Sequence, residues 1–208
     1  MVTSLYKLME LLIIFILIPV SYTLPYAWQF KLLIGILGFI YVIYILLKVE
    51  SNKFKIASNL NWNWFWKTTF LKFIFIALLT FLYVWLFDKN NLFEVVINKP
   101  KMWVVILFVY SFLSVYPQEL IYRTFFFQRY QSLFTNEKLF IFFNAIVFSL
   151  GHLFFRNALV IVLTFLGGLI FALTYHKTKS TLQVSIEHAI YGCWLFTVGM
   201  GNMLGFPS

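Results

Sequence analysis

The run MWVVILFVYSFLSVYPQELIYRTFFF (residues 102–127) decides how this chain is read. It is long and apolar enough to cross a bilayer as a helix, since a span needs ~20 residues at 1.5 Å rise each. Within it stand Glu119 and Arg123, four residues apart and therefore on one helix face. A charged side chain near the bilayer centre costs ~2.5–3.5 kcal/mol on insertion scales, so such groups usually face a protein interior and serve a pathway, a partner or chemistry. Two of the chain's three histidines, His152 and His188, fall in similarly apolar surroundings.

Composition points the same way. With 62% apolar residues, 11% charged residues and 27 phenylalanines in 208, the chain has too little polar surface to coat a soluble globule. Its mean hydropathy is +0.88. Lys plus Arg outnumber Asp plus Glu by 16 to 7, but the basic residues sit in short loops between apolar runs. Orientation in the bilayer and attraction to anionic headgroups explain that excess better than nucleic acid, which is set aside as a partner. Cys193 is the single cysteine, so no intrachain disulfide forms, and its apolar setting suits an inert buried thiol.

Apolar stretches lie at roughly 8–26, 31–47, 68–87, 102–127, 139–155, 158–175 and 181–199. They predict an all-α polytopic transmembrane bundle of about seven spans. Leu195 to Phe206 would add a short eighth, loosened by Gly199, Gly201, Gly205 and Pro207. The first stretch has Lys7 before it like a signal peptide, yet Glu10, Pro19, Pro25 and the lack of a small-x-small cleavage site mark a retained helix. No repeat or long linker divides residues 1–208, which read as one integral membrane domain. Its motif-bearing core covers about 102–200, with peripheral N-terminal spans over about 8–87. With the N-terminus inside, the inner loops hold Lys7, Lys48, Lys53, Lys55, Lys67, Arg129, Lys138, Lys177 and Lys179, against Lys31, Lys89, Lys99, Lys101 and Arg156 outside. Nine against five places the N-terminus in the cytoplasm.

Counted from the inner loops, Glu119, His152 and His188 lie ~15, ~21 and ~12 Å deep at helical rise, which predicts one shared polar cavity. Arg123 can pair with Glu119 and offset part of the cost of burying it. Pro117, just before them, removes a backbone donor and can kink the helix. Glu187, beside His188, is a further buried carboxylate, and Gly167-Gly168 with Ala172 reads as a close helix-packing site.

Three motifs in order resemble the CPBP membrane proteins, which include the type II CAAX prenyl endopeptidases, the Abi proteins and bacteriocin-processing proteases. They are Gln118-Glu119-Leu120-Ile121-Tyr122-Arg123, then Phe148-Ser149-Leu150-Gly151-His152, then His188-Ala189-Ile190-Tyr191-Gly192. The resemblance implies an intramembrane peptidase in which a glutamate and a histidine activate water and a second histidine stabilises the oxyanion. On that reading Glu119 is the base, His152 its partner on water, His188 the oxyanion donor and Arg123 the orienting counter-charge. Two positions depart from the family's pattern. Gln118 stands where the first of two glutamates is usual, and an amide orients water without deprotonating it. Gly192 stands where an asparagine is usual. Glu187 could compensate for the missing carboxylate, and Tyr122 or Tyr191 for the missing donor.

The glutamate mechanism requires no cofactor. The same Glu119, His152 and His188 could supply three ligands to zinc, although the spacing is not His-Glu-x-x-His. The expected partners are the lipid bilayer and a hydrophobic or lipidated peptide substrate, and the expected location is a bacterial inner membrane. A catalytically silent relative binding a peptide or partner in the same cavity is the alternative, and a proton-coupled carrier a third reading.

Overall fold

A computed structural model describes residues 3–53 and 60–205, and every regular element among them is helical. The long helices are α1 (Ser4–Ser21), α2 (Trp28–Lys48), α3 (Trp62–Phe87), α4 (Pro100–Leu133), α5 (Glu137–Leu150), α6 (Ala158–Thr178) and α7 (Thr181–Val198). Six segments are long and apolar enough to cross a membrane: α1 to α4, α5 with its following turn to Phe155, and α6. This is an integral membrane protein with an all-α polytopic fold. The seventh predicted span does form a helix, α7, but it buries Gln183, Glu187 and His188 and is not among the six. The suggested eighth reduces to a single tight turn, Asn202–Leu204, while Phe206, Pro207 and Lys55, expected in an inner loop, lie outside the described residues.

Leu71, Phe75, Leu86 and Phe87 are mostly exposed along α3, as a helix facing hydrocarbon should be. Polar caps set where the helices begin. Asn136 accepts from Lys138 and Leu139 at the start of α5, Asn157 from Leu159 and Val160 at the start of α6, and Ser180 from Gln183 at the start of α7. α7 ends at Gly199, whose φ of +110° suits glycine, and a side chain there would also run into the Asn91 backbone.

α4 is not a uniform helix. Wide π-helical turns at Tyr110–Val115 and Leu120–Phe125 bracket a single α turn, Tyr116–Glu119, which contains Pro117. A proline inside a helix removes one hydrogen bond and crowds the preceding turn, and widening that turn is one way to accommodate it. Such turns recur at functional sites.

The chain gathers into two compact units. The first draws on residues 1–56 and 120–179. In it Phe15 is fully buried and packs edge-on against Tyr122, Phe126 and Tyr130, and Gly168 lets α6 approach the α5 backbone at Ala145. The close-packing reading of that glycine therefore holds. Arg129, predicted in a loop, is instead fully buried: Nε donates to Glu10 at 2.7 Å and Nη1 to Glu50 at 2.9 Å. Tyr130 and Tyr41 also donate to Glu10. Two carboxylates and two phenols explain how a guanidinium is buried there.

The second unit draws on residues 57–119 and 180–208. Val95, Ile106 and Phe196 form one buried apolar cluster in it. Two indole N–H groups find partners inside it, Trp194 on Thr80 at 2.8 Å and Trp103 on Thr197 at 3.0 Å.

Candidate active site

Glu119 closes the α turn between the two wide turns of α4, and His188 sits two turns into α7. Within the second unit the two meet: His188 Nδ1 lies 2.7 Å from Glu119 Oε1. The glutamate is fully buried and the histidine is 6% exposed. A carboxylate can only accept from the ring, so Nδ1 carries the proton, and in the neutral tautomer the lone pair is on Nε2. The resemblance gives His152 the role of partner to Glu119 on water; His188, expected there as the oxyanion donor, is the imidazole bonded to Glu119 Oε1.

One residue earlier, Gln118 Nε2 donates to Ser114 Oγ at 2.8 Å, which sets the amide's orientation. Its Oε1 is buried and has no hydrogen-bond partner among the described residues. An acceptor oxygen is thus turned inward beside Glu119, suited to hold a water but not to ionise it.

Glu187 is fully buried and bonded to a residue that sequence reasoning passed over. Lys72 Nζ, from α3, lies 2.7 Å from its Oε1. The Tyr191 hydroxyl stands 2.9 Å from the same oxygen and 3.0 Å from the Thr69 carbonyl. Glu187 therefore balances a lysine, and the proton of Tyr191 already has two acceptors. The signal that finds Lys72 is the one that found Glu119, an ionisable residue inside an apolar span. α3, predicted to be peripheral, supplies it.

Gly192 has no side chain, and Tyr110 from α4 fills the space: a Cβ at 192 would collide with the Tyr110 hydroxyl and ring. The Tyr110 ring also stands edge-on to His188, with centroids 6.0 Å apart.

The remaining predicted residues belong to the first unit. His152 lies past Leu150, in the turn that closes α5, where its Nδ1 donates to the Phe148 carbonyl at 2.8 Å. Arg123 is fully buried, donates from Nη1 to Asn144 Oδ1 at 2.6 Å, and lies 4.6 Å over the Phe148 ring. Asn144 in turn donates to the Tyr122 carbonyl at 2.7 Å, a clamp that no motif signalled. The Tyr122 hydroxyl packs on Gly151, so a side chain at 151 would displace it.

No group of three or more His, Cys, Asp or Glu among the described residues could hold a metal ion. Glu119 and His188 together provide two donors.

Residues 100–194 match the family model of the type II CAAX prenyl endopeptidases, Rce1-like. That segment contains all three motifs, so the resemblance read from their order is supported by an independent match. No curated protein and no solved structure matches the chain.

Proposed function

We propose that this protein is an intramembrane endopeptidase that hydrolyses a membrane-associated peptide or protein with water activated by Glu119 and His188. The observation that carries this reading is the 2.7 Å contact between His188 Nδ1 and Glu119 Oε1, inside a segment that matches an endopeptidase family. A carboxylate on Nδ1 fixes the tautomer and stabilises the imidazolium, so the ring takes a proton through Nε2 while Glu119 balances the charge. The proton leaves water as its oxygen attacks the scissile carbonyl, and the pair returns it to the departing amine nitrogen. The base is thus the pair, and Glu119 is its only carboxylate. From motif order alone, His152 keeps the role of a second imidazole in the reaction and Arg123 that of the orienting counter-charge.

The basic inner loops favour a cytoplasmic N-terminus, and the resemblance favours a bacterial inner membrane. A hydrophobic or lipidated peptide is the substrate class. No cofactor enters the mechanism; zinc is the alternative, tested by chelation. Purified protein in nanodiscs should cleave members of a hydrophobic peptide library with or without chelator. Glu119→Gln should slow cleavage by ~10²–10⁴, the usual share of general-base catalysis. A parent protein that cleaves nothing would overturn the proposal.

One observation favours a second reading, a silent relative that binds a peptide or partner without cutting it. Gln118 stands where the resemblance implies a carboxylate, and Glu187, which could have compensated, is already paired with Lys72. Peptide binding without hydrolysis would select this reading.

A further inference from the structure

Hydrolysis at Glu119 and His188 needs a donor for the charge that grows on the scissile carbonyl oxygen, and removing one such donor typically costs ~10²–10³ in rate. The polar groups around the pair narrow the choice. Tyr191 is bonded to Glu187 and the Thr69 carbonyl, Gln118 is anchored by one amide N–H on Ser114, and Ser111 donates to the Leu107 carbonyl at 2.7 Å. Gly192 has no side chain.

Resting on the peptidase reading, we propose that Tyr110 is a catalytic residue whose phenolic O–H binds the oxyanion of the tetrahedral intermediate. It opens the wide turn of α4 at Tyr110–Val115 and is half-buried. Its ring is fixed edge-on between His188, at 6.0 Å and 82°, and Phe196, at 4.8 Å and 76°. No hydrogen-bond partner for its hydroxyl occurs among the described residues. A phenol keeps its proton at neutral pH, so the group is a neutral donor held beside the base.

Gly192 makes this placement possible. It lies four residues after His188 on the same face of α7, and the Tyr110 hydroxyl and ring occupy the volume a Cβ would need. The missing side chain at 192 and the tyrosine at 110 are therefore one arrangement: the glycine leaves a seat, and a phenol from the neighbouring helix fills it. No proton leaves Tyr110. Its hydrogen bond strengthens as the carbonyl oxygen gains charge on water attack and relaxes as the C–N bond breaks.

The test measures kcat and KM for peptide cleavage by the parent, His188→Ala, Tyr110→Phe and, as a control, the exposed Tyr83→Phe. Tyr110→Phe keeps the ring in place and should lower kcat by ~10²–10³ with KM changed by no more than about twofold, while Tyr83→Phe matches the parent. Loss of cleavage in His188→Ala with full activity in Tyr110→Phe would overturn the role of Tyr110 and leave the peptidase reading standing. A parent that cleaves nothing overturns both. If Tyr110→Phe does not fold, Tyr110→Ala is compared with Tyr110→Ala/Gly192→Asn, which supplies an amide donor in the vacated space. Recovery of cleavage in the double variant supports the proposal, and no recovery overturns it.

Discussion

Lys72 Nζ lies 2.7 Å from Glu187 Oε1, joining α3 to α7 through a carboxylate that is fully buried and a lysine that is 32% exposed. Removing one partner of a buried ion pair leaves the other charge stranded, which costs more than removing both.

Lys72→Met should therefore destabilise the protein by about 3 kcal/mol, the lower end for broken buried pairs because the lysine is partly exposed. Lys72→Met/Glu187→Gln should recover most of that loss. Thermal unfolding in detergent reads both. Glu187→Gln should also retain far more cleavage than Glu119→Gln, since its carboxylate serves Lys72 rather than water.

Arg129 joins Glu10 of α1 to Glu50, which follows α2, and is itself 1% exposed. Arg129→Ala would leave two carboxylates facing each other without a counter-ion and should cost about 3–5 kcal/mol. Arg129→Met/Glu10→Gln should be milder. Melting temperatures of the two variants, compared in one detergent, give the ordering, and equal losses would refute the coupling.

Gly192 and Tyr110 offer a packing test that is independent of catalysis. Gly192→Ala adds a methyl where the Tyr110 hydroxyl and ring stand, and overpacking of this kind costs about 1–3 kcal/mol. Tyr110→Phe should not relieve it, because ring carbons are struck as well as the hydroxyl. Tyr110→Ala should, so the two changes couple in a double-mutant cycle of unfolding free energies.

The spans were legible because apolar runs of about twenty residues need no periodicity to declare themselves. Their starts were less so, although Asn136, Asn157 and Ser180 do the capping at the predicted boundaries. Glu119, His152 and His188 stood out as ionisable residues in apolar surroundings. Their partners did not, because each pairing joins residues far apart in the chain: 69 positions from Glu119 to His188, 115 from Lys72 to Glu187 and 119 from Glu10 to Arg129. Arg129 looked like a loop cation because it lies in the last turns of α4, past the apolar run that ends at Phe127. Tyr110 looked like any aromatic in a span. Pro117 announced a disturbance of α4, but whether a helix answers by kinking or by widening depends on its neighbours.

The basic loops predict the orientation. Arg129 no longer counts as an inner-loop cation, which leaves eight predicted inner basic residues against five outer and the same sign. In a Cys193→Ser background, single cysteines at Asn91 and Lys177 should react with an impermeant reagent from opposite faces of sealed vesicles. Ser58, in the inner loop but outside the described residues, should label from the same face as Lys177. Labelling of Asn91 and Lys177 from one face would remove the assignment.

The last prediction turns on the two adjacent positions Gln118 and Glu119. If Glu119 balances the charge of the proton that His188 takes up, Glu119→Gln replaces that counter-charge with a neutral amide, and cleavage should fall by ~10²–10⁴. Gln118→Ala should cost much less, because its amide, held by Ser114, offers an acceptor oxygen to water without taking a proton. Gln118→Glu is the sharper probe. It places a second carboxylate beside a buried one, and two such acids shift each other's titration, so the pH profile of kcat/KM should change shape and not merely height. A parent that is inactive while Gln118→Glu cleaves peptide would identify the natural protein as a silent relative with the remaining machinery intact. A parent that is active and stays active in Glu119→Gln would remove Glu119 from the base, whatever the fate of the other residues.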